Sequence, residues 1–243
     1  MRLKGKSQRT HTIAARIESH AQRAFFGRRK GHPLRARQAQ IFDTALPRFQ
    51  LDLEHPAGDL THLFADPVDE VRLEIGFGGG EHLIAQAAAR PRVGFLGCEP
   101  FVNGVAKLLA AATDHGLTNI RVHFGDAVDL LAWIPPGMLS GIDLLYPDPW
   151  PKRRHWKRRF IQDHRIADFA RVLRHGAEFR FASDIDDYVA WSLERFMQSD
   201  KFSWTAERAD DWRHPWPDHV RTRYEAKALA AGRTPTYLAF RRR

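Results

Sequence analysis

Short apolar runs alternate with longer amphipathic stretches from about residue 71 to the end of the chain. Each of the first four runs contains four to six apolar residues and stops at glycine or proline, which is typical of buried strands: VRLEIGF (71–77), RVGFLGCE (92–99), NIRVHFG (119–125) and GIDLLYP (141–147). Three later runs predict further strands at 177–183, 201–207 and 234–242.

Helical periodicity fills the intervals between these strands and predicts helices at 80–89, 101–116, 158–176 and 184–199. Strands that alternate with helices of this length predict an α/β fold with a doubly wound, mostly parallel, seven-stranded sheet. The region before residue 70 shows no strong strand pattern, and we expect an arm and an irregular cap there. We therefore expect a basic, flexible arm over residues 1–40 and a single domain over residues 41–243.

The charge of the chain is concentrated at its start. The whole chain carries a net charge of +9, whereas residues 1–37 contain eleven Lys and Arg residues and a single acid, Glu18. A nearly neutral body with a basic arm indicates a polyanionic partner such as a nucleic acid. Two alternatives stay open for the arm, namely a solvated tail without a partner and an organelle targeting peptide.

The cysteine count and the length of the apolar runs bear on the compartment of the protein and on membrane insertion. Cys98 is the only cysteine, which excludes an internal disulfide and agrees with a reducing, cytoplasmic compartment. The chain contains no apolar run of about 18 residues, so we expect no membrane span. Nothing in the sequence predicts a metal site or an obligate protein partner.

A glycine-rich turn, EIGFGGG (74–80), closes the first predicted strand. A dinucleotide fingerprint starting at Gly76 requires glycine at position 81, where this chain has Glu81. The acid-x-G-x-G-x-G pattern instead resembles the first motif of class I S-adenosylmethionine-dependent methyltransferases. Glu74 and Glu81 would repel a pyrophosphate, but they would tolerate a cationic sulfonium. A purely structural glycine turn is the alternative.

Acids follow the next two predicted strands. Glu99 ends the second strand, 23 residues after Gly76, where a carboxylate can accept both ribose hydroxyls of an adenosine-containing cofactor. That position does not separate NAD from S-adenosylmethionine. Asp126 follows the third strand and could bind the adenine amine, or it could only cap a helix. Ligands of such sheets bind beyond the carboxyl ends of the strands, which is where these acids fall.

Asp148 follows the fourth strand in the segment YPDPWPKRRHWKRRF (146–160). Prolines at 147, 149 and 151 restrict φ and favour extended backbone at the residue before each of them. We therefore expect Asp148 to be preorganised near the reactive end of a cofactor. A stiff surface turn is the alternative.

A basic run follows the proline segment and contains six cations together with a histidine and a tryptophan. Such a mixture is suited to neutralising phosphates and stacking on unpaired bases. Because this run would open the predicted helix at 158–176, its charge would oppose the helix dipole unless an anion binds, which favours a functional role. Later acids, Asp184 and Glu225, could accept hydrogen bonds from the Watson–Crick edge of guanine, or could be a helix cap and a surface acid.

These residues together resemble the bacterial tRNA (guanine-N7-)-methyltransferases. The matching blocks are EIGFGGG (74–80), CE (98–99), GDA (125–127), PDPWPKRRHWKRRF (147–160), SDIDDYVAW (183–191) and TRYEAKALAAGRTPTYLAFRR (222–242). The proline and basic block is the most specific of these. The chain departs from the family pattern at Gly79, Pro100 and Trp156, which bears on RNA contacts more than on the reaction.

The resemblance implies methylation of the variable-loop guanosine at tRNA position 46 with S-adenosyl-L-methionine as the cofactor. It implies cofactor binding by Glu74, Gly76, Gly78, Gly80, Glu99, Asp126 and Asp148, and a catalytic role for Asp148. It implies substrate binding by Lys152, Asp184, Thr222, Arg223, Tyr224 and Glu225. It also implies contacts with RNA from Arg154, His155, Trp156, Lys157, Arg158 and Arg159.

Three other functions stay open from the residues alone. The chain could be a class I methyltransferase that acts on rRNA, protein or a small molecule. It could be an RNA-binding protein that has kept the fold without the activity. An NAD-dependent dehydrogenase is the third, although Glu81 and the lack of a hydride-transfer constellation speak against it.

Overall fold

The fold was obtained as a computed structural model that describes residues 26–27 and 31–243. Most of the predicted basic arm lies outside the described residues. The strands are β1 (Glu70–Ile75), β2 (Val93–Cys98), β3 (Ile120–His123), β4 (Leu139–Leu145), β5 (Leu173–Ser183), β6 (Phe202–Trp204) and β7 (Thr236–Arg242). All seven predicted strands are confirmed.

The strands form one sheet in the order β3-β2-β1-β4-β5-β7-β6. Pairs among β1 to β5 are parallel, whereas β7 runs antiparallel to both β5 and β6. The predicted α/β class and mostly parallel sheet are therefore confirmed. Strand order reverses direction between β1 and β4, and this switch point is where the loops after neighbouring strands leave room for a ligand.

The helices are α1 (Ala36–Phe49), α2 (Glu81–Ala89), α3 (Val102–Asp114), α4 (Ala127–Trp133), α5 (Asp163–Val172), α6 (Asp186–Gln198), α7 (Asp210–Arg213) and α8 (Arg223–Ala230). Two 3-10 helices add Leu60–Leu63 and Arg153–Arg158. No helix in this described part of the chain is long and apolar enough to cross a membrane.

Two hydrophobic clusters hold the helices against the sheet. One cluster joins α1, α2 and α3 to Phe95 and its neighbours, and the other joins α4, α5 and α6 to Leu96 and its neighbours. Phe95 and Leu96 are adjacent in β2 but pack into different clusters, because successive side chains of a strand point to opposite faces of the sheet. β4 is buried along its whole length, as a parallel strand covered on both faces must be.

Two predictions about helices were wrong. The region before residue 70 is not irregular throughout, since α1 packs Ala45 and Phe49 into the core. The sequence signal for α1 is weak, because Pro47 lies inside it and its first turn contains no acid. The predicted helix at 158–176 is shorter and spans Asp163–Val172, so the basic run does not open it. The helix dipole therefore gives no support for a functional role of the charge of that run.

Candidate active site

The glycine turn after β1 is tied to the acid at the end of β2. Gly76 and Gly78 have positive φ angles of 72° and 58°, which glycine adopts without strain. One carboxylate oxygen of Glu99 accepts the Gly78 N–H at 2.9 Å, and the other accepts the Phe101 N–H at 2.9 Å. Burial raises the pKa of Glu99, and these two hydrogen bonds counter part of the rise. Glu99 thus fixes the turn, with further lone pairs left for a ligand.

Asp126 caps a helix, which is one of the two roles that the sequence left open, and adenine binding stays a prediction. Its carboxylate accepts the Val128 N–H at 3.0 Å and so caps α4. The same side chain also borders the cavity described below. The helix cap therefore positions an acid at the site.

Asp148 lies in a turn with unusual backbone geometry. Tyr146 and Trp150, on either side of it, have φ angles of 52° and 43°. The prediction of extended backbone before each proline was wrong at these two residues, which precede Pro147 and Pro151. Left-handed geometry in bulky residues costs about 1–3 kcal/mol each and persists only where the surroundings impose it. The Asp148 side chain is exposed at the cavity, whose walls raise its pKa by desolvation.

A cavity of about 320 Å³ lies over the switch point and brings these groups together. Its volume falls in the range of small-molecule sites. Its walls include Gly76, Gly78, Cys98, Glu99, Pro100, Phe101, Asp126, Tyr146, Asp148, Trp150, Arg158, Phe160, Arg223 and Tyr224. The structure thus brings together three of the four predicted acids.

The cavity also has a wall that the sequence did not predict. Phe26 and Gly27 border it, and the Phe26 ring contacts the Trp150 ring edge-on at 6.2 Å between centroids. Asn103 binds the nearby chain, since its side chain accepts the Gly31 N–H at 3.0 Å and donates to the His32 carbonyl at 2.8 Å. The end of the basic arm that is described therefore lies against the site. Phenylalanine inside a basic, acid-poor segment gave no signal of such a role.

Glu74 does not border the cavity. Its carboxylate lies 2.8 Å from Nδ1 of His82, and both side chains are buried. Burial lowers the pKa of His82, but the charge and hydrogen bond of Glu74 outweigh it, so the pKa lies above its usual value. Cofactor binding by Glu74 therefore stays a prediction without a direct contact to the cavity.

The two acids predicted to read guanine also have internal partners. Glu225 is buried, accepts the Tyr237 hydroxyl at 2.9 Å and is hydrogen-bonded to His219. Burial and the hydrogen bond to Glu225 raise the pKa of Tyr237 to about 12. Asp184 pairs with Arg233. Neither acid is among the residues that border the cavity, and their substrate contacts stay a prediction.

The segment before Glu225 does reach the cavity. Thr222 caps α8, because its hydroxyl accepts the Glu225 N–H at 3.2 Å. This cap directs Arg223 and Tyr224 toward the glycine turn, where Tyr224 is 45% exposed. Both residues were predicted to bind substrate, and both are placed to contact a molecule that enters the cavity.

The basic run forms an exposed surface beside the cavity. Lys152, which precedes the 3-10 helix Arg153–Arg158, is exposed, and so are Arg153, Arg154 and Lys157 on that helix. His155 contacts the edge of the Trp150 ring at 5.8 Å. The Arg158 guanidinium lies 4.9 Å from that ring and also borders the cavity. A cationic surface that continues into the cavity wall suits a polyanion that delivers one group into the site.

Two residues of this run turn inward. Arg159 is 1% exposed, so the prediction that it faces RNA was wrong. Trp156 packs edge-on against Trp191 at 5.3 Å and lies 4.7 Å from the Arg159 guanidinium, which gives it a packing role. A charge run does not reveal which of its side chains is buried, because the partners come from α6.

The sheet order, the glycine turn and the acids after β2, β3 and β4 together define a class I methyltransferase fold. A family model described as "Putative methyltransferase" matches residues 69–238. The tRNA (guanine-N(7)-)-methyltransferase of Rhodopseudomonas palustris (strain BisB5) is 58% identical over 224 residues, which cover 92% of this chain and 88% of that protein. The tRNA (guanine-N(7)-)-methyltransferase of Nitrobacter hamburgensis is 56% identical over 98% of this chain and 93% of that protein.

The chain belongs to the family of tRNA (guanine-N(7)-)-methyltransferases, and its methyl donor is S-adenosyl-L-methionine. The resemblance drawn from the sequence is therefore confirmed. Among solved structures, the 16S rRNA methyltransferase KamB is similar at a TM-score of 0.53 and 17% identity, covering 72% of this chain and 89% of that one. At that identity the similarity supports the fold alone.

Proposed function

We propose that this protein transfers a methyl group from S-adenosyl-L-methionine to N7 of the variable-loop guanosine at tRNA position 46. The observation that carries the proposal is 56–58% identity, over more than nine-tenths of the chain, to proteins named for tRNA (guanine-N7) methylation. The cavity and the exposed basic surface beside it support both halves of the reaction.

The residues at the cavity fit this cofactor. A Cβ built on Gly76 meets no protein atom within 4 Å, so the glycine leaves an open cradle in the wall. Glu99 would accept the ribose hydroxyls, and Asp126 would accept the adenine amine. Glu99, Asp126 and Asp148 all border the cavity, and their carboxylates suit a ligand that carries the positive charges of a sulfonium and an ammonium group. When bound, this cofactor supplies an electrophilic methyl group.

Guanine N7 carries a lone pair in the ring plane, so no proton has to be removed before methyl transfer, and the chain needs no general base. The residues of the site have two tasks, which are to align the base and to stabilise the positive charge that the purine gains. Asp148 is suited to the second task, because its carboxylate is exposed to the cavity between Tyr146 and Trp150.

We assign tRNA binding to the exposed cations Lys152, Arg154 and Lys157, together with His155 beside the Trp150 ring and Arg158 in the cavity wall. The basic arm over residues 1–40 would add phosphate contacts to the single methyltransferase domain over residues 41–243. The proposed action on tRNA supports a cytoplasmic location as part of this proposal, which requires no metal and no obligate protein partner.

Mass spectrometry of nucleosides tests the proposed function. The protein is incubated with S-adenosyl-L-methionine and either a tRNA transcript with guanosine 46 or the same transcript with adenosine there. We expect 7-methylguanosine only in the first transcript. Methylation of both transcripts, or of neither, would contradict the proposal. Detection of another methylated nucleoside in the first would indicate a different target atom.

Replacement of Gly76 by alanine should separate cofactor binding from backbone strain. Gly137 has the same φ of 72° and the same open surroundings, but it lies outside the cavity wall. We expect both Gly→Ala variants to lose about 1–2 kcal/mol of unfolding free energy from the left-handed geometry. Only Gly76→Ala should also weaken S-adenosyl-L-methionine binding, by about tenfold or more, because its Cβ fills the cradle. Calorimetric titration and chemical denaturation measure the two effects. Equal affinities in the two variants would contradict the prediction.

A further inference from the structure

Arg159 is a buried cation that binds the main chain of the turn containing Asp148. Its Nε donates to the Pro149 carbonyl at 2.9 Å, and its Nη1 donates to the Asp187 carbonyl, in the first turn of α6, at 3.0 Å. The side chain therefore connects the turn to a helix of the core. Pro149 directly follows Asp148, so this carbonyl is one peptide unit from the acid.

Three aromatic rings enclose the guanidinium of Arg159. Its Cζ lies 4.7 Å from the ring centroid of Trp156, 5.0 Å from that of Tyr188 and 5.3 Å from that of Trp191. The Trp191 indole in turn donates to the Ile161 carbonyl at 2.8 Å. The rings thus fix the plane of the guanidinium, and with it the direction in which Nε donates.

This burial is costly for a residue with only a structural task. The hydrogen bonds of Arg159 go to main-chain carbonyls rather than to a carboxylate, and its Nη2 is buried without a hydrogen-bond partner among the described residues. Moving a cation out of water costs several kcal/mol unless close partners compensate. A methionine or leucine of similar volume would fill the same space without this cost. The hydrogen bond to the turn is what such a side chain would lack.

The turn has few other means of holding its shape. Three of its residues are prolines without an N–H, and Tyr146 and Trp150 have left-handed φ angles. In the described part of the chain, the Arg159 bond is the one hydrogen bond that is formed to a main-chain group between Pro147 and Pro151. Strained backbone of this kind persists only where neighbouring groups impose it.

We propose that Arg159 is a positioning residue for methyl transfer, which fixes the Pro149 carbonyl and thereby places the Asp148 carboxylate against the reacting base. The proposal rests on the proposed function for its kinetic consequences. Under this proposal the basic run has two separate tasks, because its exposed cations contact RNA while Arg159 positions the Asp148 carboxylate.

The kinetic test uses Arg159→Lys and Arg159→Met, with Arg195→Met as the matched control. Arg195 contacts the same Trp191 ring but not the turn. We expect both Arg159 variants to lower kcat about 10- to 100-fold, because small displacements of a reacting group have effects of this size. KM for tRNA and for S-adenosyl-L-methionine should change less than about threefold, and Arg195→Met should leave kcat unchanged. The lysine variant carries the test if the methionine variant does not fold.

A double-mutant cycle with Asp148→Asn identifies the route of the effect. If Arg159 acts through Asp148, the double variant should be about as slow as Asp148→Asn alone. Multiplication of the two losses would overturn the proposal. So would a normal kcat in both Arg159 variants, or a loss of tRNA affinity with a smaller salt slope, since the latter would make Arg159 an RNA contact.

Hydrogen exchange separates this proposal from the proposed function. The Tyr146 amide, which donates to the Ala182 carbonyl at 2.8 Å at the start of the turn, should exchange about tenfold faster in Arg159→Met than in the unaltered protein or in Arg195→Met, because the turn is no longer held by the Arg159 hydrogen bond. Failure of the unaltered protein to methylate tRNA would reject the proposed function, and this exchange result would still decide whether Arg159 orders the turn. Unchanged exchange would overturn the inference about Arg159.

Discussion

Replacing Asp148 by asparagine should lower kcat about 100-fold or more, which is the scale on which a preorganised electrostatic group acts. The change keeps the size of the side chain and removes its negative charge. Purine N7 gains positive charge as the methyl group arrives, and the carboxylate is exposed to the cavity where that charge develops. KM for S-adenosyl-L-methionine should change much less, since Glu99 and Asp126 still provide the adenosine contacts.

The pH dependence of kcat provides a second readout for Asp148. Desolvation raises the pKa of this carboxyl, so it takes up a proton at a higher pH than an ordinary aspartate does. Only the anion can stabilise the charged purine, so kcat of the unaltered protein should fall as the pH drops through this raised pKa. Asp148→Asn should lack that acid limb.

Asp43→Asn is the matched control, because Asp43 is exposed on α1 and the change in charge is the same. Single-turnover measurements at saturating cofactor and tRNA compare the variants. A rate for Asp148→Asn within about threefold of the unaltered protein would exclude an electrostatic role of the expected size. An acid limb that persists in Asp148→Asn would assign it to another group.

The sheet could be predicted from the sequence because parallel strands covered on both faces become continuous apolar runs. β2 shows this pattern, and β4 shows it apart from Asp143, whereas β1 alternates apolar residues with the buried Arg72 and Glu74. Glycine and proline after these runs indicate where the strands end. α1 and the start of α5 could not be predicted in the same way. α1 contains Pro47, and its apolar face becomes evident only once α3 is in place beneath it.

The residues of the candidate site could also be predicted only in part. Glu99, Asp126 and Asp148 could be placed, because the carboxyl ends of parallel strands meet at one edge of a sheet. Burial of Glu74 and Glu225 could not, because their partners His82 and His219 are chosen by packing of α2 and of the segment before α8. A sequence pattern predicts which element carries a side chain, and the packing of neighbouring elements determines what that side chain contacts.

The turn around Asp148 shows a further limit. Three prolines predicted rigidity, and the structure has a restricted turn there, but the φ angles of Tyr146 and Trp150 contradict the local preference for extended backbone. The rigid geometry depends on tertiary contacts such as the Arg159 bond to Pro149. Local rules therefore indicated that the turn is special without giving its conformation.

Replacing Glu99 by glutamine should weaken S-adenosyl-L-methionine binding about 100-fold, the result of losing two to three kcal/mol of interaction. Each carboxylate oxygen accepts one backbone N–H, from Gly78 and from Phe101. A glutamine has one oxygen and one NH₂ group, so one of the two N–H groups would face another donor. The glycine turn would lose its tie, and the ribose would lose a pair of acceptors.

The stability of the fold should change less than the affinity does. Burial raises the pKa of Glu99, which means that burial of the charged form costs free energy, and the neutral amide avoids this cost. This saving offsets part of the lost hydrogen bond. Glu54→Gln makes the same chemical change at an exposed position and should alter neither property. Calorimetric titration measures affinity, and denaturation measures stability. If Glu99→Gln bound the cofactor as tightly as Glu54→Gln does, Glu99 would have no role in the cradle; if both losses were equal, its role would be to hold the fold rather than the ligand.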